Sequence, residues 1–242
     1  MKTKHLLQLT SAAAALTAAV GMAGAAQAAS LFQDFTIDEQ QTNFSDSFDI
    51  EKFDTSLGNL LEVNITLEGT VGGTVVAENT SDSSPANLDI ELTGTFDLMA
   101  GGLNAAELIS LASDSVFLDV GDGNFDGNFD DPNDLSTITL PGLSGTDSVT
   151  NSFASGAFFD QFLGSAGDTL LGEFDAKGDF DGSDDNGNTI SGARQTVASG
   201  LVTVEYVFEP TATPVPEPGT AIGVGLAAAA GWFMKKKKGE NA

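Results

Sequence analysis

Leu61-Glu62-Val63-Asn64-Ile65-Thr66-Leu67-Glu68 decides the fold class. Every odd position is aliphatic and every even one is polar or charged. That period of two sets one face of an extended strand on a core and the other in water. Gly69 ends the run, and Val71 to Glu78, with Gly72-Gly73, reads as the return strand of a hairpin. After the polar turn 79–85, alternation resumes, with Leu88, Ile90, Leu92, Phe96 and Leu98 inward and Asp89, Glu91 and Thr93 outward. Leu103 to Leu111 fits a short helix or a strand equally well. Further strands are predicted at Val116 to Val120, Leu135 to Leu140 and Thr169 to Phe174, with Phe153 to Leu163 irregular between them. Val197 to Phe208 is the strongest late strand, with Val202, Val204, Tyr206 and Phe208 on one face. Short strands, Gly-rich turns and almost no amphipathic helix predict an all-β domain, an antiparallel β-sandwich of jelly-roll or Ig-like form.

The ends of the chain read differently. Lys2 and Lys4 precede a largely apolar stretch that closes on Ala26-Gln27-Ala28, the small-x-small pattern of a cleaved secretory signal. Residues 1–29 are therefore predicted as a signal peptide, 30–209 as the sandwich domain and 210–214 as a linker. At the other end, Val215-Pro216-Glu217-Pro218 leads into an apolar run from Gly219 to Met234, followed by Lys235, Lys236, Lys237 and Lys238. That run is about sixteen residues, short of the roughly twenty of a comfortable helical span, and the basic cluster would stay on the cytoplasmic side. A motif, a single hydrophobic transmembrane helix and a basic tail, in that order, resemble the PEP-CTERM sorting signal of bacteria. The resemblance implies that residues 215–242 are recognised and processed by an exosortase-type enzyme after transient anchoring in the inner membrane. It implies export to the outer cell surface or extracellular matrix.

A second resemblance covers most of residues 32–208. Phe44 and Phe48, the run Lys52-Phe53-Asp54-Thr55-Ser56-Leu57-Gly58-Asn59-Leu60, the strand from Val63 to Gly73, Glu78-Asn79 and the closing Val202 to Phe208 resemble the choice-of-anchor E domain. That family is a secreted bacterial module joined to different attachment signals. The resemblance implies a surface protein and carries no activity with it.

Residues 31–234 hold three basic side chains (Lys52, Lys177, Arg194) against 34 acidic ones, a formal charge of −31. Such a surface disfavours nucleic acid and anionic lipid and suits an exterior rich in divalent cations. The chain has no Cys, and its one His, His5, lies in the predicted signal. Cys- and His-dependent catalysis is thereby excluded from the mature protein. Lys52, flanked by Glu51 and Asp54, reads as a surface charge. No carboxylate pair stands out among so many, so the domain is read as non-enzymatic, with a secreted hydrolase as the remotest alternative. Seventeen Phe against one Trp and one Tyr read as core filling.

The first candidate site is Asp122-Gly123-Asn124-Phe125-Asp126-Gly127-Asn128-Phe129-Asp130-Asp131-Pro132-Asn133-Asp134. Asp122, Asn124 and Asp126, with Gly127 next, match the first half of the D-x-[DN]-x-[DN]-G calcium signature. Asn128 would give its carbonyl, and Asp130 falls at the ninth position. The twelfth position is Asn133 in place of the bidentate Glu, and Asp134 follows as a substitute ligand. Gly, Asn and Asp are equally what ordinary turns are made of. A second stretch, Asp175 to Asn188, offers Asp181, Ser183 and Asp185 at the same alternation, with Asn186 where Gly is wanted. The expectation is an exported structural or adhesive protein associated with exopolysaccharide, with Ca2+ as its possible cofactor. The alternative is a carbohydrate-binding adhesin module.

Overall fold

The computed structural model describes residues 28–129, 134–185 and 187–211. The predicted signal peptide (all but its last two residues), Asp130, the motif Val215 to Pro218, the apolar run and the Lys235 to Lys238 cluster lie outside the described residues. The described residues form ten strands and one helical turn: β1 (Ala29–Gln41), β2 (Phe44–Glu51), β3 (Phe53–Asp54), β4 (Gly58–Asn79), β5 (Ala86–Ala100), β6 (Leu103–Leu118), β7 (Thr137–Phe153), α1 (Ala157–Asp160), β8 (Leu163–Gly164), β9 (Thr169–Asp184) and β10 (Thr189–Pro210). Two four-stranded sheets, ordered β1-β10-β4-β7 and β2-β9-β5-β6, are antiparallel throughout; β3 and β8 form a small parallel pair. The inner faces of the two sheets share one apolar core. The chain passes repeatedly from one sheet to the other, consistent with the antiparallel β-sandwich expected.

β5 follows its alternation as predicted: Leu88, Ile90, Leu92, Phe96 and Leu98 are buried, and Asp89 and Glu91 are exposed. β4 corrects the hairpin. Residues 58–79 form one 22-residue strand that pairs with β10 straight through Gly69, Gly72 and Gly73. These glycines mark close approaches rather than a turn. A Cβ on Gly69 would lie 2.5 Å from Cδ2 of Phe96, and one on Gly73 would collide with the Gln195 carbonyl. A bulge at Leu61 turns Leu60 inward and leaves Leu61 41% exposed, so the perfect alternation of the opening octapeptide holds only from Val63 on. Leu103–Leu111 is strand, the first part of β6, and β7 begins at Thr137 rather than Leu135. The acidic stretch from Asp175 is also strand, as far as Asp184.

The two poles of the sandwich differ in chemistry. β1 opposite β10 aligns Ala29 with Phe208, and Gly58 aligns with Pro210, so the first and last strands of the sandwich have their outer ends at one pole. This pole is closed by rings. Phe53 packs on Phe208 (5.1 Å) and Tyr206 (5.9 Å), Phe162 on Tyr206 (6.1 Å) and Phe158 (5.3 Å), and Phe158 on Phe153 (4.2 Å). At the opposite pole lie four of the five buried polar side chains of the described residues: Glu78, Asn79, Ser81 and Ser136. The 22 residues of β10 separate the poles by about 70 Å at a rise of roughly 3.3 Å per residue.

Tyr206, the only tyrosine, donates its hydroxyl proton to the Glu51 carbonyl at 2.7 Å. Burial pushes its pKa well above the ordinary value of 10.0; the nearby Glu51 charge adds to this, and a hydrogen bond with Gln33 opposes it. Between the unfolded and folded pKa values the native state holds the proton more tightly. Stability is therefore full below pH of about 10 and falls as pH rises beyond it. With a single phenol, absorbance at 295 nm reads this directly. The phenolate signal is expected to be absent at pH 10.5 in the folded protein and to rise only together with alkaline unfolding. A free titration near pH 10 in folded protein would refute the buried hydroxyl.

Candidate functional site

The connection from β6 to β7 spans residues 119–136 and crosses between sheets at the polar pole. Its base is fixed by backbone bonds. Asp119 N–H donates to the Leu135 carbonyl (3.0 Å), Asn79 N–H to the Ser136 carbonyl (2.8 Å) and Gly121 N–H to the Ser81 carbonyl (2.6 Å). The buried Asn79 amide adds two further bonds, to the carbonyls of Ser84 and Asp119, both 2.8 Å. Its Oδ1 accepts from Ser81 N–H at 3.0 Å.

The centre of the loop is organised by a residue read from the sequence as a strand end and as part of the family resemblance, not as part of the site. Glu78, only 4% exposed, lies 48 residues before Asp126. Its Oε1 accepts from Asp126 N–H and its Oε2 from Gly127 N–H, both at 3.1 Å. One carboxylate thus caps two successive amides at a turn that Gly127 completes with φ 68°. A physical signal for it in the sequence is a carboxylate directly after the apolar run Val75-Val76-Ala77, which places it at the inner end of a strand.

The predicted ligands take local roles. Asp122 Oδ1 accepts from Asn124 N–H (2.9 Å), and Asp126 Oδ1 accepts from Asn128 N–H (2.7 Å). Asp134 Oδ1 accepts from the N–H (2.9 Å) and hydroxyl (2.6 Å) of Ser136. These are the side-chain turns that Asp forms readily. Asn124 and Asn128 enter through their backbone amides. Phe125 and Phe129 pack 6.1 Å apart, and the Arg194 guanidinium lies 5.3 Å over the Phe129 ring. Among the described residues, no three His, Cys, Asp or Glu side chains gather closely enough to hold a metal ion. Asp130, the predicted ninth-position ligand, lies outside the described residues.

The second acidic stretch is split. Asp181 and Ser183 stand on β9, and Asp185 follows its end. The Asp185 carboxylate accepts from the Asn87 side-chain amide (2.8 Å) and the Asn87 backbone N–H (3.0 Å). These bonds, the side-chain one foremost, hold its pKa below the ordinary carboxylate value. Asp184 caps the N–H groups of Asn188 (2.9 Å) and Thr189 (2.8 Å). Asp181 and Ser183 face a shallow groove with Asp89, Glu91 and Asp114, on the open side of the sheet.

No family model matches the chain, and no curated protein matches it. The solved structures it resembles include infectious bursal disease virus Gx strain, at 13% identity over 89% of this chain and 53% of that one, with a TM-score of 0.15. The Gt strain of the same virus matches at 14% identity over 82% and 47%, with a TM-score of 0.11. T=1 particles derived from infectious bursal virus match at 15% identity over 83% and 47%, also at 0.11. The chain spans about half the length of the structures it matches.

Proposed function

We propose that this is an exported, non-enzymatic protein of the cell envelope or extracellular matrix, which holds an acidic sandwich outward among exopolysaccharide. The observation that carries this reading is the polarity of the sandwich. The chain leaves the domain at the aromatic pole, beside Pro210, whereas the acidic loops lie at the far pole. A protein tethered through its C-terminal side would turn those carboxylates away from the tether. The signal-like first 29 residues and the sequence from Val215 to Lys238 support export and sorting by an exosortase-type enzyme. Divalent cations would bridge the acidic body to anionic polysaccharide.

Calcium at Asp122 to Asp134 belongs to the same reading, supported by the spacing and by the frame Glu78 gives the loop. Asp126→Ala tests it cleanly, because Glu78 grips the backbone amide of Asp126 and keeps that grip without the side chain. Calcium at ten times its Kd is expected to raise Tm by roughly 3–5 °C in the parent and not in the variant. A parent melt indifferent to calcium would remove the ion from the loop. The protein found inside the cell with residues 1–29 still attached would overturn the export reading itself.

A glycan-binding role has one observation of its own. On the outer face of the other sheet, Ser30, Glu205, Asn64 and Ser152 form a continuous row of hydrogen bonds of 2.6–3.0 Å. The exposed ring of Phe32 lies beside Glu205 at the end of that row. A polar row with a ring at its edge is the arrangement a sugar ring would use.

A further inference from the structure

β9 is 16 residues long, yet β2 covers only its first half. That pairing runs from Glu51 opposite Thr169 to Phe44 opposite Ala176, where Asn43, at φ 67°, turns the chain away. On its other side β9 stays paired with β5 as far as Asp184. Successive residues of a strand send their backbone groups to opposite sides. Asn43 N–H donates to the Ala176 carbonyl (2.9 Å) on the β2 side, and Asp185 N–H donates to the Asn87 carbonyl (3.2 Å) on the β5 side. The even-numbered residues therefore carry the groups of the uncovered edge. Gly178 abuts Thr42. Beyond it, Phe180, Gly182 and Asp184 have no backbone partner on that edge among the described residues. The Phe180 N–H instead binds the neighbouring Asp179 carboxylate at 2.9 Å, as an uncovered donor does.

An uncovered edge is a template for another strand, and the charge beside it decides which strand fits. The outward side chains here are Asp179, Asp181 and Ser183, with Glu91 and Asp89 next to them on β5. A second copy paired through the same edge would set carboxylate against carboxylate, which is destabilising for directly opposed residues. A strand with Lys or Arg at every second position would meet opposite charge at Asp179 and Asp181, with Asp89 and Glu91 behind them. We propose that the Asp179–Asp184 edge of β9 accepts an extended basic segment of a partner protein, added in line with β2 as a further strand of that sheet.

The probe is a labelled peptide of about eight residues, a usual strand length, alternating Lys and Val and titrated into the full chain by fluorescence anisotropy. A second peptide has the same sequence with its edge-facing amides N-methylated, and a third alternates Glu and Val. Saturable binding of the first is expected, weakened about tenfold or more by N-methylation because ladder hydrogen bonds are lost. The Glu peptide is expected not to bind. The double variant Asp179→Asn, Asp181→Asn should bind the Lys peptide several-fold more weakly, with a shallower salt dependence. Equal binding of the N-methylated peptide would reduce the interaction to charge alone and overturn the proposal. Absence of saturation would also overturn it. So would a dimer of the full chain in sedimentation that Phe180→Pro dissociates, because the occupant would then be a second copy.

Discussion

Glu78→Ala is expected to lower stability by about 2–4 kcal/mol and to release the loop between β6 and β7. The carboxylate is buried and binds two amides, Asp126 N–H and Gly127 N–H. Hydrogen bonds to a charged group contribute on the order of 1.5–3 kcal/mol each, and truncation leaves both donors without their acceptor. An opposing effect exists, because removing Glu78 also removes one negative charge from a very acidic body. That repulsion comes from exposed carboxylates such as Asp122 and Asp126, and salt screens it over a Debye length of about 8–10 Å, whereas the two bonds are direct contacts. The hydrogen bonds therefore win. Glu78→Gln keeps one acceptor oxygen and should lose about half as much. Urea unfolding measures the stability, and hydrogen exchange at the Gly127 amide reports the loop. An Ala variant as stable as the parent, with Gly127 exchanging no faster, would mean that Glu78 does not hold the loop.

That residue also shows where reading the sequence stops. The loop from Asp122 to Asp134 was visible because turn residues lie between two strands. Its internal order was not, because the group that shapes it comes from β4, 48 residues away. Spacing along a chain predicts which oxygens share a turn. It does not predict that Asp122, Asp126 and Asp134 will each spend one oxygen on a neighbouring amide.

The strands divide in the same way. β5 was legible because large aliphatic side chains alternate with acids, and one face meets the core while the other meets water. The strand predicted from Thr169 stops at Phe174, whereas β9 runs on to Asp184, because its later inward positions carry little apolar signal. Gly178 and Gly182 stand where a Leu or Val would have declared a strand. A Cβ on Gly182 would meet the Ser191 hydroxyl of the facing sheet. In β4 the same residue type mimicked a turn for the same reason, since the ring or carbonyl that needs the space belongs to a strand far along the chain.

That reason is testable at the centre of the core, where Phe96 is fully buried 5.8 Å from Phe174. The Phe96 ring lies over Gly69, and a Cβ on Gly69 would come within 2.5–2.8 Å of three of its ring carbons. Gly69 is not among the glycines with positive φ, so alanine meets no backbone strain there. Any cost of Gly69→Ala is then overpacking, expected at about 1–3 kcal/mol. Phe96→Ala empties the site and should cost about 3–5 kcal/mol. Combined, the two changes should not add. The alanine methyl would enter space the ring has vacated, so the double variant is expected to be more stable than the sum of the singles by about 1–3 kcal/mol. Urea unfolding of the four proteins closes the cycle. Additive losses would mean that Gly69 answers to something other than Phe96. β4 would then need a different explanation for running unbroken through a glycine that reads as a turn.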